Sequence, residues 1–279
     1  MNGLILLWVA IIAFSMAYIG YGRWLSRSLF GLNYFRKTPA HRSSDGIDYV
    51  PSSPGLVFGH HFTSIAGTGP IVGPAIGVIW GWGPAFIWVV LGAIFIGGIH
   101  DFGALVLSLR HDGRSICDIA GDLISSQLRR YIFGVVLLAL WIVMAIFGLI
   151  IAIIFNLFPE AVLPVWFEIP IALAFGFFLR RYPKKIRWLT VLAIGGMAMT
   201  VVLGHFIPIK LGGVVGIPAT GVWTIILLVY AWWASVLPVQ TLLQPRDFLN
   251  AWQLIIAMGL LLLGAMVSGM SGHLMVKAP

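Results

Sequence analysis

The chain has 279 residues, of which 60% are hydrophobic and only 9% charged, and its mean hydropathy is +1.00. Soluble chains are roughly 45–50% apolar and 25% charged, so this one has too few charges to cover a water-facing surface, and a soluble one- or two-domain protein is excluded. The net charge of +8 comes from basic residues clustered between long apolar runs, a pattern that fits a polytopic membrane protein rather than a nucleic-acid-binding one.

The first apolar run, 3–22, has no charge before Leu4 and is followed by Arg23 and Arg27. A cleaved secretory signal has the opposite flank, so the run reads as a membrane span. Further runs long enough to cross about 30 Å of hydrocarbon at 1.5 Å per residue lie at 62–80, 84–109, 131–155, 163–179, 188–206, 222–240 and 251–271. The predicted architecture is therefore all-α: a membrane helix bundle of about eight transmembrane helices in a single transmembrane domain over 1–279. The run 163–179 is short and carries Pro164, Glu168 and Pro170 near its outer end. It is retained as a crossing, because otherwise Arg180, Arg181, Lys184, Lys185 and Arg187 would change sides. Pro238 removes a backbone donor late in the seventh run and predicts a kink there.

The loops 23–59, 110–130, 180–187 and 241–250 hold fifteen of the seventeen Lys and Arg residues, leaving Lys210 and Lys277 for the other side. Cytoplasmic loops collect such residues, which places both termini outside. Trp80, Trp82, Tyr131, Trp166, Trp188 and Trp223 fall near span ends, where amphipathic rings favour the interface. The lone Cys117 excludes an internal disulfide and a multi-cysteine metal site.

The stretch from Phe58 to Pro74 concentrates glycine and proline in Gly67-Thr68-Gly69-Pro70-Ile71-Val72-Gly73-Pro74. Such a sequence is costly to an uninterrupted helix, and irregular backbone survives in lipid only where it is buried in protein or lines a wet cavity. Broken helices of this kind build substrate sites in secondary transporters. His60, His61, Gly67, Thr68, Gly69 and Pro70 are therefore candidate substrate- or ion-binding residues. Kinks used for close helix packing are the plainer alternative.

Asp101 is the one acidic residue well inside a predicted span, eight to nine residues before Arg110 and so about 12–14 Å deep. Intramembrane carboxylates are functional candidates by default, although a structural ion pair or a snorkelling side chain would also account for one. In a tight hairpin of the second and third spans, His60 and His61 come near the level of His100 and Asp101. Asp101 with His60 or His61 is thus expected to form a proton-coupling or substrate-carboxylate site. Adjacent histidines lack the i, i+4 spacing of a helical zinc pair, so no metal site is expected. No hydrolase triad motif, Walker loop or dinucleotide fingerprint is present, so neither an enzyme nor an ATP-driven pump is expected, and no cofactor is implied. Arg110-His111-Asp112-Gly113-Arg114-Ser115 reads as a solvated basic loop.

Several of these segments resemble the carbon starvation protein A family of bacterial inner-membrane proteins. They are Thr38-Pro39-Ala40-His41-Arg42, Asp45-Gly46, Asp48-Tyr49-Val50-Pro51, Phe58 through Pro74, Asp101-Phe102, Arg110 through Ser115, Leu237-Pro238 and Leu243-Gln244-Pro245-Arg246-Asp247-Phe248-Leu249. The resemblance implies uptake of peptides or pyruvate during carbon starvation, driven by an ion gradient, with similarity to transporters built from five-helix inverted repeats. Its members commonly run longer, so the chain is expected to be an N-terminal portion, a shortened member or one piece of a split transporter. The alternative is a non-transporting subunit or sensor that works with a partner supplying the C-terminal helices, or as a homo-oligomer.

Overall fold

The computed structural model describes residues 2–33, 35–46, 49–214 and 216–271. Among these, eight helices are long and apolar enough to cross a membrane: α1 (Gly3–Leu29), α2 (Pro54–Trp80), α3 (Trp82–Arg110), α4 (Ser126–Leu157), α5 (Pro159–Arg181), α6 (Pro183–Phe206), α7 (Ala219–Val236) and α8 (Leu243–Met270). Each matches one run expected from the sequence. Large apolar side chains such as Leu138, Trp141 and Ile142 on α4 and Leu260, Leu261 and Leu263 on α8 point outward, as lipid solvation requires. The fold is an all-α polytopic membrane bundle.

The Gly/Pro segment does interrupt the second span. Pro54–Ile65 and Thr68–Gly77 are separate α-helical pieces joined through Ala66 and an extended Gly67 at φ −79°, ψ −165°. His60 and His61 lie on the first piece, which is regular α-helix, so the irregularity is narrower than the Phe58–Pro74 stretch that signals it. At Gly81 the chain turns into α3 with φ +126°, a conformation that only glycine adopts without strain. Pro238 ends α7 instead of kinking it: the helix stops at Val236 and Leu237 is extended, at φ −77°, ψ 145°, because the residue before a proline is pushed out of the helical region.

The described residues belong to two compact units. The first comprises Met1–Pro51, Gly67–Gly134 and Ala257–Pro279. In it Asn2 caps α1, accepting from the Leu4 amide at 3.0 Å and donating from Nδ2 to the Gly269 carbonyl at 3.1 Å. Its loops are laced by ion pairs, Arg42 with Asp112, Arg114 with Asp122 and Arg129 with Asp118. The Tyr49 hydroxyl donates to the Asp112 carbonyl at 2.7 Å, and Arg110 donates to the Phe30 carbonyl. The guanidiniums of the 110–115 loop are thus engaged by the protein itself. A short helix, Ile116–Leu123, starts at Ser115, whose Oγ accepts from the Asp118 amide. The Arg129 guanidinium, helped by the Ser115 hydroxyl, holds the Asp118 carboxyl below its usual range.

The second unit comprises Ser52–Ala66 and Val135–Ile256. Its most extensive helix contact is between α5 and α6. Ala172 and Phe175 of α5, Ala193 and Met197 of α6, and Phe248 and Leu249 of α8 form one apolar cluster. Ala152, Phe155, Val162 and Trp223 form a second. The buried hydroxyls of Thr190 and Thr200 donate back to the Ile186 and Met197 carbonyls at 2.7 Å, so neither is left unsatisfied in the apolar interior.

Candidate functional site

The polar interior of the second unit is built by the first turns of α8. This segment runs antiparallel to α5: Arg180 Nη2 donates to the Gln240 carbonyl at 2.9 Å, Pro245 packs on Gly176, and Asn250 reaches Glu168. From Arg180 to Glu168 is about 18 Å along a helix. Residues 246–250, expected in a cytoplasmic loop, are therefore helical and lie beside the middle of a membrane span. Pro245 explains the local fold, since proline is well tolerated in the first turn of a helix, where its missing N–H has no partner to lose.

Consecutive residues on this helix serve two different neighbours. Arg246 Nε and Asn250 Nδ2 both donate to Glu168 Oε1, each at 2.7 Å. Asp247 meets α2 instead: its Oδ2 lies 2.6 Å from His60 Nδ1, and its backbone carbonyl accepts from the Thr63 hydroxyl at 2.7 Å. Asp247 is largely buried, with 13% of its side chain exposed against 36% for His60. The two helices approach closely here because Gly59 has no side chain. A Cβ at that position would stand 2.9 Å from Phe248 Cα.

His60 is thus in ion-pairing contact with Asp247, whereas the sequence alone suggests Asp101 as the carboxylate partner of His60 or His61. His61 is exposed. Asp101 lies in the first unit, where its Oδ1 sits 2.9 Å from Nδ1 of the neighbouring His100, with 47% and 78% of the two side chains exposed. Each of His60 and Asp101 has its partner within its own unit. Gly67 forms the joint in α2, and Gly69 and Pro70 are exposed beyond it. Thr68 opens the second piece of α2, and its side chain lies outside the described residues. A Cβ at Gly69 or Gly73 would meet nothing within 4 Å, so close helix packing within the described structure does not account for these two glycines.

Asp101 is not alone among intramembrane acids. Glu168 and Asp247 also lie within membrane-spanning helices, and both are held by basic partners.

A histidine–carboxylate pair and a carboxylate–arginine pair side by side in one membrane bundle can exchange protons and hold charged solutes. The sequence profile described as carbon starvation protein CstA matches residues 2–278. The chain belongs to this family. Its similarity to individual members is moderate and extends over most of its length. It is 33% identical over 253 residues to the peptide transporter CstA of Escherichia coli K12, covering 88% of this chain and 36% of that protein. It is 31% identical over 276 residues to the peptide transporter CstA of Bacillus subtilis 168, covering 96% and 44%. Against the pyruvate/proton symporter BtsT of Escherichia coli K12 it is 31% identical over 254 residues, covering 87% and 35%. The chain therefore spans between about a third and a half of the length of these curated relatives. No solved structure matches it. In this chain the segment from Leu237 to Leu249, which carries part of the sequence resemblance, is the one that places Arg246 and Asp247 in the second unit.

Proposed function

We propose that this CstA-family protein is a secondary transporter of the bacterial inner membrane that takes up peptides or pyruvate, coupled to protons through His60 and Asp247. The observation that carries this reading is the 2.6 Å contact between His60 Nδ1 and Asp247 Oδ2 on one side of the break in α2. With a proton on the imidazole the pair is an imidazolium and a carboxylate, with no net charge. Without it, a single negative charge remains in a medium of low dielectric. Loading a proton thus changes the electrostatic state of this part of the bundle, as a coupling site requires. The names of the relatives support the substrate class, since they include peptide transporters and a pyruvate/proton symporter. Asp101 with His100 is proposed as a second proton-handling pair, and Gly67, Thr68, Gly69 and Pro70 as the broken segment on the substrate path. The crowding of basic residues into alternate loops supports termini outside the cytoplasm, even with Arg246 moved from a loop into a span.

The test is uptake of labelled pyruvate and of di- and tripeptides into proteoliposomes, with and without an imposed proton gradient. Gradient-stimulated uptake is expected, with loss of the stimulation in His60→Gln and in Asp247→Asn and normal membrane insertion in both. Uptake that ignores the gradient in the unaltered protein, or stimulation that survives both substitutions, refutes the reading. The coverage of only part of each relative supports one alternative, a subunit that needs a partner chain. Its signature is no flux alone but recovery on co-expression with the C-terminal helices of a relative.

A further inference from the structure

Next to the Glu168–Arg246 pair lies a cavity of about 270 Å³ within the second unit. Its walls are apolar, formed by side chains such as Phe147 and Ile151 of α4, Trp166 of α5 and Leu228 of α7. Arg246 and Tyr230 are among the residues that line it. The Tyr230 hydroxyl is buried and has no hydrogen-bond partner among the described residues. A phenol so placed is costly unless something else satisfies it. Its ring is held by the Trp166 edge, with centroids 5.5 Å apart, and by the Arg246 guanidinium, 6.0 Å from the ring centroid. The bond to Glu168 uses Arg246 Nε, one of five N–H donors on a guanidinium.

We infer that this cavity is a binding subsite for a short monocarboxylate, whose carboxylate is received by Arg246 and the Tyr230 hydroxyl while its apolar end fills the space between α4, α5 and α7. The inference rests on the transporter reading and narrows its substrate class. A cationic guanidinium and a buried hydroxyl are both donors, so the ligand group must be an acceptor, and an anionic one matches the guanidinium best. Glu168 cancels the Arg246 charge at rest and Asn250 braces Glu168, so the guanidinium is fixed in place before a ligand arrives. The volume lies just below the roughly 300–1,000 Å³ of sites for drug-sized ligands, which favours a molecule of pyruvate size over a tripeptide. Pockets that are mostly apolar with a few converging polar groups are the usual form of such sites.

The deciding variant is Tyr230→Phe, because it removes a hydroxyl that has no described protein partner and should leave the unfolding temperature unchanged. Equilibrium binding of labelled pyruvate to the full chain in detergent is expected to weaken roughly tenfold or more in this variant, the loss of one hydrogen bond to a charged group. Arg246→Gln should abolish binding. Methyl pyruvate, which lacks the charge, should fail to compete, and trialanine should compete poorly. Unchanged affinity in Tyr230→Phe, equal competition by the ester or by trialanine, or no binding by the unaltered protein would each overturn the assignment. Gradient-driven uptake measured alongside separates the two readings. Uptake that depends on His60 but is indifferent to Tyr230 removes the subsite and leaves proton coupling standing. Pyruvate binding that depends on Tyr230, without any gradient-driven flux, does the reverse.

Discussion

Replacing Gly59 with alanine tests whether the contact between α2 and α8 sets the His60–Asp247 geometry. The added Cβ would lie 2.9 Å from both Cα and Cδ2 of Phe248, where carbon atoms prefer about 3.5–4.0 Å, so the helices must part by about 0.5–1 Å. The ring could swing, but the Cα cannot. Phe248 is buried and stacked on Phe175 at 5.7 Å, and Leu249 behind it is fully buried, so α8 has no free space to retreat into. Overpacking of this kind costs about 1–3 kcal/mol. Alanine recovers about 0.5–1 kcal/mol of helix propensity over glycine, leaving a net loss of up to about 2.5 kcal/mol. Gly195→Ala is the control, being in mid-helix on α6 with nothing within 4 Å of its Cβ, and it should be neutral or stabilising. Thermal unfolding in detergent measures both, and gradient-driven uptake measures the consequence for His60. If Gly59→Ala is as stable as Gly195→Ala, or keeps full proton dependence, the close approach does not position the pair.

Glu168→Gln should destabilise by about 2–4 kcal/mol because it leaves the Arg246 charge without its counterion. The double substitution Glu168→Gln with Arg246→Gln should lose less than the single one, and additive losses in a double-mutant cycle would refute the pairing. The lowered Asp118 carboxyl contributes stability that is complete above its ordinary value of 3.8 and is lost as pH falls through the lower value of the folded protein. The Ile116–Leu123 helix should therefore open only in strong acid. Its buried Cys117 is the readout: reaction with a disulfide reagent active at low pH should accelerate there. Asp118→Asn should flatten that pH dependence, and a rate as steep as in the unaltered protein would refute it. Pro238→Ala should let α7 extend past Val236, raising helical content in circular dichroism and weakening the hold of Arg180 on the Gln240 carbonyl. Unchanged helicity would show that another feature ends the helix.

What the sequence shows of this fold is what hydrophobic length and charge can encode. Spans of apolar residues have few alternatives in lipid, and glycine with proline leaves a local mark, so all eight helices and the break at Gly67 are readable without coordinates. Partner choice is not encoded locally. Asp247 lies 187 positions from His60, and no periodicity connects them. Glu168 reads as a residue near a span end and Arg246 as a loop cation, because a cluster of polar residues after Pro238 resembles a turn. The signal available was Pro245 followed by Phe248, Leu249 and Ala251, a helix start with a buried face already within it. Reading the helix from Leu243 would have drawn Arg246 and Asp247 into the membrane and shown that each needed an opposite charge.

Arg246 and Asp247 are neighbours in sequence, so their side chains leave the helix about 100° apart. One is tied to α5 and the other to α2. One short stretch of α8 therefore carries both contacts. A roll of that stretch that slackens the histidine contact must in the same stroke alter how the guanidinium meets Glu168.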